Sequence, residues 1–89
     1  MNIKEIMLIE ESNLGYWKKK VALDWHQIFG DISPLLDLID IDRDLLTVQV
    51  NDKIWLEEFY LLCPLLIKMI NRAAGDAYIK KMRFRLKKN

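Results

Sequence analysis

The sequence has little of what small proteins use in place of a packed core. Its single cysteine, Cys63, cannot close an intramolecular disulfide, so the fold must rest on apolar packing, as expected in the reducing cytosol. Cys63 and the single histidine, His26, supply neither a nucleophile and base pair nor a zinc-ligand set. The three glycines, Gly15, Gly30 and Gly75, stand far apart and form no phosphate-cradling loop. No apolar run approaches the roughly 18 residues of a membrane span, and the N-terminus lacks a basic stretch followed by an apolar one. These absences lead to a soluble, cytoplasmic protein that is not an enzyme and carries no metal or cofactor. With 52% hydrophobic residues and only two prolines, the chain is too apolar to be a disordered linker.

Net charge also looks scarce, at +1 over 89 residues, until it is resolved along the chain. Through Ile67 there are six basic and twelve acidic residues, a balance of −6; after it there are eight basic and one acidic, a balance of +7. The near-neutral total hides a polarised molecule whose C-terminal part calls for an electrostatic partner. The length fits one domain, expected over residues 14–89, with residues 1–13 as an N-terminal arm or short helix.

Periodicity predicts the elements. Leu14, Trp17, Val21, Trp25, Ile28 and Phe29 fall within about 120° of helical arc, and Gly30 is placed to stop that helix. Leu46, Val48 and Val50 alternate with polar neighbours as a half-buried strand, and the less regular run from Leu35 to Ile41 is its hairpin partner across Asp42, Arg43 and Asp44. Asn51 and Asp52 offer an N-cap for a long apolar helix ending at Gly75, with Ile54, Trp55, Leu62, Leu65, Leu66, Met69 and Ile70 on its expected core face. Pro64 interrupts it, which predicts a kink or two helices meeting near Leu62 and Cys63. A last alternating segment sets Met82, Phe84 and Leu86 against Lys81, Arg83, Arg85 and Lys87. The expected fold is α+β, in the order helix, strand, strand, helix, helix, strand, with a three-stranded sheet covered by helices on one face.

Asp40, Asp42 and Asp44 have the spacing of the first ligands in a calcium loop. Leu45 and Asn51 stand where that loop needs glycine and glutamate, so the triplet reads as an acidic, solvated turn. Trp17, Trp25 and Trp55 sit on apolar faces and read as core. Lys80, Lys81, Arg83 and Arg85, with Lys68 and Arg72 one turn apart on the preceding helix, could line one continuous surface suited to a phosphate backbone. Edge protection explains some of that charge, but not the near exclusion of acids after Ile67. A second helix stripe, Leu56, Tyr60, Cys63 and Ile67, is either buried between layers or a docking surface for a protein partner.

Three pieces of the chain resemble the DciA family. They are Trp25-His26-Gln27-Ile28-Phe29-Gly30; Leu46-Thr47-Val48-Gln49-Val50 followed by Trp55, Glu58 and Phe59; and Leu66-Ile67 to Ile70-Asn71 with Gly75, and the resemblance covers about residues 14–86. It implies a small K-homology-like (type II) αββααβ domain and a bacterial replication factor that binds single-stranded or forked DNA. Such a factor recruits or loads the replicative helicase without ATPase activity. The Gly-x-x-Gly loop of ordinary K-homology domains is missing, so Lys68, Arg72, Lys80, Lys81, Arg83 and Arg85 become the expected DNA surface, and Leu56, Tyr60 and Ile67 the expected partner surface. Trp25, Gly30, Trp55 and Asn71 are assigned to the fold. Two other readings share the pattern: an RNA-binding ribosome-assembly factor of the same fold, and a homodimeric interaction domain without nucleic acid.

Overall fold

Asp24 divides the first helical region. The computed structural model describes residues 16–87, and within them residues 16–23 are helical (α1) and Trp25–Phe29 form α2. The hydrogen-bond ladder runs through the break, Asp24 N–H donating to the Lys20 carbonyl (2.9 Å) and Ile28 N–H to that of Asp24 (2.8 Å). The expected arm over residues 1–13, together with Leu14, lies outside the described residues. Trp17, Val21 and Phe29 are buried from this region as the stripe predicts.

Gly30 ends α2 at φ 57°, a conformation that suits a residue without Cβ, and donates its N–H to the His26 carbonyl. A 3-10 helix, Gly30–Leu35, follows instead of an immediate strand, and holds Pro34. His26 Nδ1 and the buried Ser33 Oγ share a hydrogen bond of 2.6 Å that ties the two helices together.

Leu36–Asp42 (β1) and Leu45–Val50 (β2) then pair antiparallel. Arg43 makes the turn at φ 56°, in the region that favours glycine. Asp52 caps Lys53–Leu61 (α3), its Oδ1 accepting from Ile54 N–H at 3.0 Å. Leu62 separates α3 from Cys63–Ala74 (α4), whose first turn holds Pro64, where the missing N–H has no helical partner to lose. Of the two expected outcomes at Pro64, two separate helices is the one found. Gly75 closes α4 in the left-handed conformation, φ 94°, donating to the Asn71 carbonyl.

Lys81–Leu86 (β3) joins β2 in parallel, giving a mixed sheet in the order β1, β2, β3. A parallel neighbour needs a long crossover, which α3 and α4 supply. Lys80 and Lys81 N–H both donate to the Asp44 carbonyl, at 2.9 and 3.1 Å, and Lys87 N–H donates to that of Val50 at 2.9 Å. Both ends of the pair are thereby fixed. Just before β3, the Asn71 carboxamide clamps the backbone of buried Ile79, donating to its carbonyl (2.9 Å) and accepting from its N–H (2.8 Å). This is the fold role expected of Asn71. Trp25 serves likewise, its Nε1 donating to the Leu36 carbonyl at 2.8 Å.

The core lies on one face of the sheet. Leu46, Val48 and Val50 of β2 are fully buried, flanked by Leu36 and Phe84 and covered by Phe59, Leu66 and Ile70 from α3 and α4. Burying a side chain such as Phe59 contributes roughly 1.5–3 kcal/mol. The expected α3 core face is corrected here. On α3, Ile54 is 72% exposed and Trp55 is also exposed, and Leu56 and Phe59 pack inward instead. Beyond it Leu62 and Leu65 are exposed, whereas Leu66 and Ile70 of α4 are buried as expected, with Cys63, Ile67 and Met69 packed beside them. Helix α3 carries two apolar stripes; the sheet takes the one that includes Phe59. Among the described residues no helix is long and apolar enough to cross a membrane.

Candidate nucleic-acid interface

The other face of the sheet is sorted by charge. In-register triplets run across it: Asp42, Leu45 and Lys81; Asp40, Thr47 and Arg83; Asp37, Gln49 and Arg85. Each β1 aspartate and each β3 base is exposed, while Thr47 between them is buried. The face is thus an acidic column, an uncharged column and a basic column. Within the basic column successive charges are about 6.6 Å apart along the strand. The acidic column stands two strand spacings away, about 9.6 Å, close to one screening length at physiological salt.

A bulge makes the acidic column. The β1–β2 register shifts between Leu38 and Asp40, leaving Ile39 as the extra residue. Strict alternation from Leu36 and Leu38 would turn Asp40 and Asp42 toward the core. The inserted Ile39 reverses the parity, so that Ile41 packs against the core and both aspartates point outward.

The basic residues predicted from sequence do not form one surface. Lys81, Arg83 and Arg85 share the open sheet face, and Lys80, also exposed, stands just ahead of the strand. Lys68 and Arg72 are exposed on α4, each two residues and so about 200° around the helix from the buried Leu66 or Ile70. They lie on the outer side of the helical layer, across the molecule from Arg83 and Arg85. There they line a groove of about 600 Å³ with Lys20 and Asp24, floored by Ile28 and Met69. Sequence reasoning leaves Lys20 out of this group, since it belongs to a helix distant in the chain.

Of the expected partner residues, Leu56 and Ile67 pack against the core. Only Tyr60 is well exposed, at 60%, its ring 5.0 Å from that of Phe84. Leu56 and Ile67 are only partly open to solvent, so of the three Tyr60 offers most of the accessible surface. The apolar side chains of this region that do reach solvent include Ile54, Trp55, Leu61, Leu62 and Leu65, all but Leu61 assigned by the spacing to the core. Trp17 stacks on Tyr78 at 4.5 Å and Trp55 on Phe59 at 5.8 Å; Trp55 is 39% exposed and only borders the core.

Catalytic groups do not converge on either surface. Burial pushes the Cys63 thiol up, away from the thiolate form a nucleophile needs. Among the described residues no three His, Cys, Asp or Glu side chains gather as a metal site. What the open face offers is a straight row of three cations along an edge strand, with anions held off on the far strand. Such a row can bind a polyanion and orient it.

No protein-family model matches the sequence, and no curated protein matches it. The likeness to the DciA family therefore rests on the motifs themselves.

Proposed function

We propose that this protein is a DciA-like, non-catalytic replication factor that binds single-stranded or forked DNA along β3 and brings the replicative helicase to it. The carrying observation is the exposed column of Lys81, Arg83 and Arg85 on an edge strand, with Lys80 at its entrance. The aspartate column on β1 favours a single strand over a duplex. One phosphate chain can follow β3 along its outer side, whereas a duplex laid on the sheet would bring its second backbone over Asp37, Asp40 and Asp42. The order of elements and the mixed sheet support the finer reading of the fold as K-homology-like, type II, with the β3 face standing in for the absent Gly-x-x-Gly clamp.

The test is salt dependence. With about three phosphates neutralised on a single strand, log affinity for an oligonucleotide should fall against log salt with a slope near −2. A slope near zero would contradict the proposal, and a marked preference for ribosomal RNA fragments in competition would replace DNA by RNA as the ligand. Recovery of the replicative helicase from nuclease-treated lysate of the native bacterium tests the second half of the reading.

A further inference from the structure

We infer that the open sheet face is self-complementary and docks a second copy of this chain. The argument is geometric and does not depend on the DNA reading. Charge runs from negative on β1 through neutral on β2 to positive on β3, in three aligned rows. If two such faces meet about a two-fold axis lying between them and parallel to the strands, the axis exchanges left and right and keeps each row level. Asp42 of one copy then faces Lys81 of the other, Asp40 faces Arg83, and Asp37 faces Arg85. Each pairing occurs twice, as an isologous interface requires. A two-fold axis across the strands would instead set acid on acid. Pairing two β3 edges would set the basic columns side by side, so charge also selects against edge-to-edge association.

The magnitude fixes the character of this contact. Three strands about 4.8 Å apart and six residues rising about 3.3 Å each offer on the order of 300 Å² per copy. A stable interface uses roughly 800 Å² per partner. The association is therefore weak, charge-driven and lost in high salt. It also covers the basic column, so self-docking and polyanion binding exclude one another.

Charge reversal in trans tests it. Sedimentation of the full chain at low salt should show concentration-dependent dimer, lost at about 1 M salt, where the screening length falls to about 3 Å. Asp40→Arg alone sets two cations against each other at both symmetry-related pairings, and Arg83→Asp alone sets two anions together there; each variant should be monomeric. Mixed in equal amounts they should regain the dimer, because both cross-pairs become opposite in sign. Both positions are exposed, so circular dichroism should show parental folding, and Asp37→Arg with Arg85→Asp repeats the design one row along. A strictly monomeric parent at low salt overturns the inference. So does a single variant that dimerises like the parent, or a folded pair of variants that fails to reassociate on mixing.

Discussion

Strands β1 and β3 flank the same central strand and do the same work on one side of it. Each gives the core apolar residues from one face, Leu36, Leu38 and, past the bulge, Ile41 from β1, and Met82 and Phe84 from β3. On the other side they differ completely, three aspartates against two arginines and a lysine. Burial accounts for the shared side. Nothing in folding requires the sorted side, because mixed charges would keep the open face solvated equally well. The difference separates residues that make the sheet from residues that the fold leaves free to face solvent.

Substitutions can widen or erase that separation. Neighbours on β3 should behave oppositely: Phe84→Ala should cost about 3 kcal/mol of stability in denaturant unfolding, and Arg83→Ala should stay within about 0.5 kcal/mol of the parent. A comparable loss from both would mean that the open face is also structural. Asn71→Ala comes next, removing both bonds to the buried backbone of Ile79, with an expected cost of about 2 kcal/mol and loosened entry into β3. Amide hydrogen exchange should show that loosening at residues 79–82 before β1 responds.

The acidic strand can be neutralised without disturbing its core side. Asp37, Asp40 and Asp42 changed together to Asn should raise affinity for single-stranded DNA roughly threefold at moderate salt, since repulsion across about one screening length is small. Unchanged affinity would confine the β1 charges to other roles. The smallest effect belongs to the turn joining β1 and β2. Arg43→Gly should stabilise the protein by about 0.5 kcal/mol, relief of the positive φ being partly offset by the wider freedom of glycine when unfolded. A loss in thermal unfolding would show that the Arg43 side chain does more than tolerate its backbone.

Much of this architecture is legible from residue order, and the exceptions have physical causes. Alternation at Leu46, Val48 and Val50, the cap at Asp52, the stop at Gly75 and the break before Pro64 are local rules, and each meets its structural counterpart. The core face of α3 is not legible, because Ile54 and Trp55 are as apolar as Leu56 and Phe59, and only the sheet chooses between the stripes. The acidic column is half legible. The pattern Leu36, Leu38, Ile39, Ile41 loses its period of two at Ile39, which is the trace of the bulge, but read as a calcium-like spacing the aspartates point only to a turn. The joining of Lys68 and Arg72 to the β3 row fails because nearness in sequence says nothing of opposite sides of a sheet.

Two matched pairs of reversals decide whether β3 is the binding strand. Arg83→Glu with Arg85→Glu, and separately Lys68→Glu with Arg72→Glu, change net charge equally at exposed positions on opposite sides of the molecule. Affinity of each for one single-stranded oligonucleotide at fixed salt should fall about a hundredfold for the β3 pair, roughly tenfold per reversed contact. It should change only severalfold for the α4 pair. Equal losses, or a greater loss from the α4 pair, would contradict the assignment of nucleic-acid binding to β3.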